Sequence, residues 1–368
     1  MNSPLNGLKV VELARILAGP WIGQTLADLG AEVIKVESQD GDATRTWGPP
    51  FVEREGDKSA AYFHCTNRGK DSISLDFQNE DDLRELRELI ADADVLIENF
   101  KVGGLVKFGL DFESMHQLNP RLIYCSVTGF GQDGPYAHRA GYDFLIQGMS
   151  GIMDLTGEPD GAPQKVGVAF ADIFSGLYGV IGIQAALAER EQSGLGQQVD
   201  ISLLECMTGD LANQAMNYLA SGDAPTRMGT AHPNIVPYQT FHVSDGHLII
   251  ASGNARQYQS LCVVLGLDDL SCDDRFKSNG MRVRNRAELI PLLQSRCEFW
   301  TKSDLLVALE KAVVPAGPIN TVAEALLNPQ ILHRKIQITP EGIPGLRTPI
   351  VFSRSKQKNN KAAPKKPT

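Results

Sequence analysis

The residue best placed for covalent chemistry is Asp172, in Gly167-Val168-Ala169-Phe170-Ala171-Asp172-Ile173-Phe174-Ser175-Gly176. Apart from the weakly acidic Tyr178, it is the only ionisable side chain between Lys165 and Glu189. Two readings compete. As an N-cap, Asp172 would accept a backbone N–H at the start of a helix beginning at Ile173. As a nucleophile, a carboxylate facing a glycine-rich loop needs no base, because it is ionised at neutral pH. A helix N-terminus would keep it so.

Other segments carry weaker signals. Gly129-Phe130-Gly131-Gln132-Asp133-Gly134 matches G-x-G-x-x-G and follows a strand. A dinucleotide loop needs a helix to open there, yet Pro135 follows at once. A plain glycine loop beyond a strand end is the competing reading, and such loops still line ligand crevices. Tyr142-Asp143 reads as a buried tyrosine with its hydroxyl satisfied beside a surface acid. Asn99-Phe100 follows the strand ending at Glu98 and reads as a strand-end turn. Arg45-Thr46-Trp47-Gly48-Pro49-Pro50 reads as a loop with a tryptophan lid, or as a packed turn. None of the six cysteines forms a CxxC or zinc spacing with histidine, so no metal is expected and the thiols read as reduced.

These segments need a frame to hold them. Lys9–Leu13, Glu32–Glu37, Ser72–Asp76, Val95–Ile97 and Leu122–Val127 read as strands. Between them, helices are expected from Gly19-Pro20 to Leu29, with Gly30 as its stop, and from Asn79 to Ala91. The alternation implies an α/β fold with a mostly parallel sheet. Ile173–Ala188 reads as a buried core helix. After Gly222, Tyr238–Val243 and His247–Ala251 flank a Ser244-Asp245-Gly246 turn as a hairpin, followed by helices near 255–265, 286–299 and 303–312. The expected divisions are 1–222 for a large domain, 223–328 for a smaller α+β domain, and 329–368 as a segment returning to the first.

The chain has 368 residues, 44 acidic and 35 basic, for a net charge of −9. That balance argues against a nucleic-acid partner. No convincing membrane span appears, since the longest apolar run, Ile173–Ala188, falls short of a bilayer crossing. The N-terminus Met1-Asn2-Ser3-Pro4 lacks the basic region of a secretory signal, so a cytoplasmic enzyme is expected. From Arg354 onward the bases are Arg354, Lys356, Lys358, Lys361, Lys365 and Lys366, with no acid.

Taken together, LARILAGPW near Leu13, LGAEVIKVE near Leu29, GDATRTWGPPF near Gly41 and NRGKDSISLD near Asn67 resemble the family III CoA-transferases. So do ADVLIENF near Ala93, NPRLIYCSVTGFGQDGP near Asn119, AGYDFLIQGMSGIM near Ala140 and GVAFADIFSG near Gly167. RTWGPPF, GTAHPNIVPYQ and VPAGPIN look most like the succinyl-CoA:dicarboxylate branch that includes glutarate-accepting enzymes. The resemblance places the family's nucleophile on Asp172 and implies aspartyl anhydride and aspartyl-CoA thioester intermediates. CoA contacts carried over by position fall on Ile16, Leu17, Ala18, Leu75, Asn99, Phe100, Lys107, Ala140, Tyr142 and Asp143. Trp47, Thr230 and His232 are the expected substrate contacts. Ser38 and Gln78 replace basic contacts of the family, and Lys107 stands where some relatives have arginine. Lys35, Arg45, Arg68, Lys70, Lys107 and Arg139 are expected to form a local positive patch for the anionic cofactor.

By the same resemblance the large domain is Rossmann-like and two chains interlock as a homodimer, with acyl-CoA and carboxylic acids as the partners. An α-methylacyl-CoA racemase is the main alternative. Those enzymes carry a His-Asp pair where Tyr142-Asp143 stands, and a tyrosine is a poor α-proton base. A non-catalytic acyl-CoA-binding protein is the other. The basic tail resembles a connecting strip that stops where relatives continue.

Overall fold

The strand and helix alternation of residues 9–128 folds as a parallel sheet in a computed structural model that describes residues 3–367. Met1 and Asn2, on which the N-terminal reading falls, and Thr368, at the end of the basic tail, lie outside the described residues. The sheet contains β1 (Lys9–Glu12), β2 (Glu32–Glu37), β3 (Asp71–Ser74), β4 (Val95–Glu98), β5 (Ile123–Thr128) and β6 (Gln198–Ser202). Its order is β3-β2-β1-β4-β5-β6, with every pair parallel. The chain winds outward first one way and then the other from the β1–β4 junction. In such sheets the crevice beyond the carboxyl ends of the strands at that junction is the natural ligand site.

Alternation along each strand divides the core. Val10, Ile97, Ile123 and Val127 face one layer, built with α1 (Ala18–Asp28) and its residues Ile22 and Leu26. Val11, Leu96 and Tyr124 face the other, under Leu86 and Ile90 of α2 (Glu80–Ala91) and Met115 of α3 (Phe112–Leu118). Asn79 caps α2 as expected, accepting the Asp81 and Asp82 amides. Ser202 accepts the Glu205 amide, so the ambiguous stretch after Val199 is a strand that passes straight into a helix (Leu203–Gly209).

The glycine loop after β5 does not open a helix. Bends and turns run from Gly129 until α4 (Asp143–Met149), which excludes the dinucleotide reading. The glycines there serve packing: a Cβ on Gly129 would stand 2.6 Å from the Gly141 Cα, so two backbones meet face to face.

Helix α5 (Phe170–Ser193) spans 24 residues and corrects the expectation of a wholly buried helix. One side is sunk against α1 through Gly176 and Gly179, whose added Cβ atoms would meet Trp21 and Ile22. The other side leaves Leu177, Tyr178 and Ile181 exposed, with Ile181 at 61%. By length and composition α5 alone among the described helices could cross a bilayer, but its glycine face is occupied by α1.

The segments up to Met153, Lys165–Asp223 and Pro329 onward form one unit. Residues Asp154–Gln164 group instead with Ala224–Asn328 in a second unit. That second unit has β7 (Tyr238–Val243) and β8 (Gly246–Ala251) as the expected hairpin, with a third antiparallel strand at Ala316–Pro318. Its own core joins Phe241, Ile250, Tyr258, Leu261, Leu289 and Leu305.

The basic tail is not a free end. Ala362 and Ala363 are buried, Lys361 pairs with Asp71 and Lys365 with Glu55. Arg45 reaches the Pro364 carbonyl at 3.2 Å. The tail is therefore a strap laid along the edge strand β3 and the Phe51–Ala60 hairpin.

Candidate active site

Burial decides the role of most charged side chains near the sheet. Lys35, Arg45, Arg68 and Lys70 are all buried and paired, which removes them from the expected positive patch. Lys35 sits between Glu12 and Asp42 at 3.2 and 3.0 Å, and Lys70 joins Glu12 at 2.8 Å. Arg45 makes a forked contact with Glu37 at 2.8 and 2.7 Å, and Arg68 does the same with Asp28. Burial opposes the charge on Lys35, but Glu12 and Asp42 outweigh it and hold its pKa above the ordinary value. Lys107 and Arg139 remain exposed, Lys107 over the Phe108 ring and Arg139 over Tyr136.

At the β1–β4 junction lies a cavity of about 450 Å³. Ile16, Leu17 and Ala18 line it from the loop after β1, and Asn99 and Phe100 from the loop after β4. Trp47, Ala140, Tyr142 and Asp172 complete it, so nine of the expected site residues converge there. Arg15, Lys101 and Arg139 stand on its wall and supply the positive charge that the buried lysines do not. The two loops are tied together, since the Asn99 amide side chain accepts from Arg15 N at 2.9 Å and donates to Arg15 O at 2.7 Å. Arg15 stacks on Phe100, 4.8 Å from the ring centre.

Five expected contacts are not on that wall, among them Asp143, which bonds to the residue before Asp172. Leu75 is core, packed in the α2 layer. Lys107 sits off the cavity wall. Thr230 and His232 belong to the second unit, where Thr230 shares its hydroxyl with Thr240 at 2.7 Å. There the His232 ring accepts the Asn234 amide at 3.0 Å, and Arg286 holds the carbonyls of His232 and Pro233.

Asp172 is not the N-cap. The helix starts at Phe170 behind Ala169, without a side-chain cap, and Asp172 is its third residue. Its carboxylate makes no hydrogen bond or ion pair among the described residues. Burial first, and the like charge of Asp143 second, push its pKa up to about 7. The helix dipole does not keep it fully ionised, contrary to the sequence-based expectation.

Asp143 acts on the same turn. Its carboxylate accepts the Ala171 amide at 2.9 Å and the Gln147 side-chain amide at 2.8 Å. Fully buried Gln147 accepts the Val166 amide at 2.9 Å, so α4 grips the segment that presents Asp172. Sequence reasoning missed Gln147, which carries no local signal beyond its spacing of one turn from Asp143. It also missed Tyr62, which packs against Trp47 at 5.2 Å. Burial and then the charge of Asp172 raise the Tyr62 pKa to about 12, so its hydroxyl keeps its proton through the neutral range.

An unpaired carboxylate at a doubly wound switch point, on the wall of a cavity it shares with Trp47, Arg15, Lys101 and Arg139, suits covalent capture of an activated acyl group on an anionic carrier. Comparison with known proteins identifies the class of reaction. The chain is 52% identical over 98% of its length, and 92% of the relative's, to the succinate–glutarate CoA-transferase of Agrobacterium fabrum. It is 41% identical to the human succinyl-CoA:glutarate CoA-transferase, over 92% of this chain and 76% of that one. The crystal structure of a CAIB/BAIF family protein from Brucella suis superposes with a TM-score of 0.90 at 63% identity, covering 99% of this chain and 97% of that one. With residues 5–366 matching the model described as CoA-transferase family III, the chain belongs to that family and is a CoA-transferase.

Proposed function

We propose that this enzyme moves CoA from succinyl-CoA to a dicarboxylate acceptor such as glutarate, with Asp172 as the covalent carrier. The observation that carries the reading is the placement of Asp172: unpaired, in the first turn of α5, on the wall of the switch-point cavity. The names of the relatives support the choice of substrates.

The steps balance as acyl exchanges. The ionised Asp172 carboxylate attacks the thioester carbonyl, and the C–S bond breaks to release CoA thiolate, leaving an aspartyl acyl anhydride. The thiolate attacks the aspartyl carbonyl, expelling the donor acid and forming an aspartyl-CoA thioester. An acceptor carboxylate attacks that thioester, forming a new anhydride and freeing the thiolate again. The thiolate then takes the acceptor acyl group, and Asp172 leaves as carboxylate. No water enters, so the thioester energy is conserved, provided the site excludes solvent. Each tetrahedral intermediate calls for a nearby donor, and the Tyr62 hydroxyl and the loop amides beyond β1 and β5 are the available groups.

CoA would lie across the 15–18 and 99–102 loops, with Arg15, Lys101 and Arg139 toward its phosphates in place of the basic contacts missing at Ser38 and Gln78. Trp47 would cover the acyl end. The reading extends to a homodimer, interlaced as in the family. The exposed Leu177 and Ile181 of α5, with Phe144 and Leu145 of α4, support a protein partner on that face. A cytosolic setting accords with six free cysteines. Tyr142, 68% exposed, stands where a racemase would need a histidine base, so no racemase step is included.

Acceptor-dependent CoA exchange tests the assignment. The chain is incubated with succinyl-CoA and each of the C2 to C6 dicarboxylic acids. Formation of a new acyl-CoA with glutarate or a neighbouring acid is expected, and absence of transfer to every acceptor would overturn the reading.

A further inference from the structure

Ile16 adopts φ +74°, a left-handed conformation. For a β-branched side chain this is an outlier, sustained only when the surroundings hold it there. Ile16 lies in the turn between β1 and α1, whose residues line the cavity with Asp172.

The surroundings are a set of charges placed directly under that turn. Asp42 is buried, and one of its carboxylate oxygens accepts the Ile16 amide at 3.3 Å. The same oxygen is 3.0 Å from Lys35 Nζ. Lys35 also donates to the Ala14 carbonyl at 2.8 Å, and Lys70 donates to the Pro20 carbonyl at 2.9 Å. The second Asp42 oxygen accepts the Thr44 amide at 2.9 Å and the Thr44 hydroxyl at 2.7 Å, while the Asp42 amide donates to Glu37 at 2.7 Å. Backbone groups on both sides of Ile16 are thus held by buried ionic side chains, and the flanking Arg15 is held by Asn99. A hydrophobic replacement of such a cluster would often serve stability as well or better. Three of its hydrogen bonds go to backbone groups in or flanking one turn, the Ala14 carbonyl, the Ile16 amide and the Pro20 carbonyl, which points to geometry as a task.

We propose that Asp42 is a positioning residue of the acyl-CoA site: braced by Lys35, its carboxylate pins the Ile16 amide in the left-handed conformation and so fixes the 15–18 turn that receives CoA. The proposal rests on reading the cavity as the CoA site. Without the brace, Ile16 relaxes to an ordinary extended or helical backbone, and the turn rotates its peptide groups away from the cavity. Glycine at position 16 adopts the same φ at no steric cost. The need for Asp42 should therefore depend on which residue stands at 16, which a merely structural ion pair would not show.

The test is a double-mutant cycle read by calorimetric titration with free CoA, using the full chain. Asp42→Ala is expected to weaken CoA binding at least tenfold when Ile16 is present. In an Ile16→Gly background, whatever that change costs by itself, Asp42→Ala is expected to weaken binding less than threefold. Equal losses in the two backgrounds, or no loss with Ile16 present, would overturn the assignment of Asp42. If Asp42→Ala does not fold, Asp42→Asn is carried through the same cycle, with a smaller loss that is again confined to the Ile16 background; an Asn loss independent of residue 16 is equally contrary. Titration of the unmodified chain separates the two claims. Failure of that chain to bind CoA removes the reading of the cavity, and this proposal with it. Binding without coupling removes only the role of Asp42.

Discussion

The Asp143 carboxylate accepts the backbone amide of Ala171, the residue before Asp172, at 2.9 Å. One acid therefore both grips the turn that presents the other and raises its proton affinity. This relationship makes the ionisation of Asp172 depend on a neighbour that holds it in place.

The pH dependence follows. With Asp172 as the proposed nucleophile only its ionised form attacks, so kcat/KM should climb roughly tenfold per pH unit on the acid side of a limb near 7 and level off above it. Asp143→Asn retains an acceptor for Ala171 and removes the like charge, so the limb should move to lower pH. A rate profile from pH 5 to 9 for both proteins checks this. An unmoved limb would mean that Asp143 does not face Asp172 electrostatically.

The same shift predicts a stability cost. The folded state holds the Asp172 proton up to about pH 7, whereas the unfolded chain releases it near 4, so folded stability falls as pH rises through that window. Asp172→Asn removes the cost. It should raise Tm by about 2 °C or more at pH 8, with little effect at pH 4, while lowering transfer by roughly a thousandfold or more. Thermal melts at the two pH values separate this from a general packing effect.

Close backbone contact gives a steric prediction. A methyl on Gly141 would lie 2.6 Å from the Gly129 Cα, and neither backbone has a flexible end that can yield. Gly141→Ala should cost about 1–3 kcal/mol of stability and weaken acyl-CoA affinity, since both residues line the cavity. Chemical denaturation and a KM measurement read the two effects.

Much of this frame was legible in the sequence. Strand alternation, the Asn79 cap and the Gly30 stop are local signals, and the structure places those elements within a few residues of expectation. Asp172, Asn99 and Trp47 stood out at strand and helix ends, each with a packing reading open beside it, and only the family resemblance singled them out as site candidates. The fate of Lys35 and Lys70 was not legible. Lys35 in its strand and Lys70 just before one read as surface until Glu12 of β1 is known to meet both, and the loop residue Asp42 to meet Lys35. Gln147 was hidden for the same reason, because its importance comes from its long-range bond to the Val166 amide, and Tyr62 because its ring contact with Trp47 is made across the Phe51–Ala60 hairpin. The face of α5 was misread because its apolar residues run round the whole helix, which leaves no periodicity to tell a core face from an exposed one.

The tail supplies a further expectation. Arg45 ties Glu37 to the Pro364 carbonyl and stacks on Phe63, 3.7 Å from the ring centre. Arg45→Met leaves Glu37 buried without its cation, a change of about 3–5 kcal/mol. Proteolysis after residue 354 should accelerate, because the strap loses its anchor. Tail cleavage at the native rate would show that the strap is held by Lys361 and Lys365 instead.

The central claim is that Asp172 carries the transferred group. Incubation with succinyl-CoA, quenching with hydroxylamine and peptide mapping by mass spectrometry tests it most directly. The account predicts conversion of the Asp172 side chain to a hydroxamate, dependent on acyl-CoA and absent in Asp172→Ala, which transfers no CoA. Full transfer by Asp172→Ala, or turnover that never marks Asp172, would contradict it.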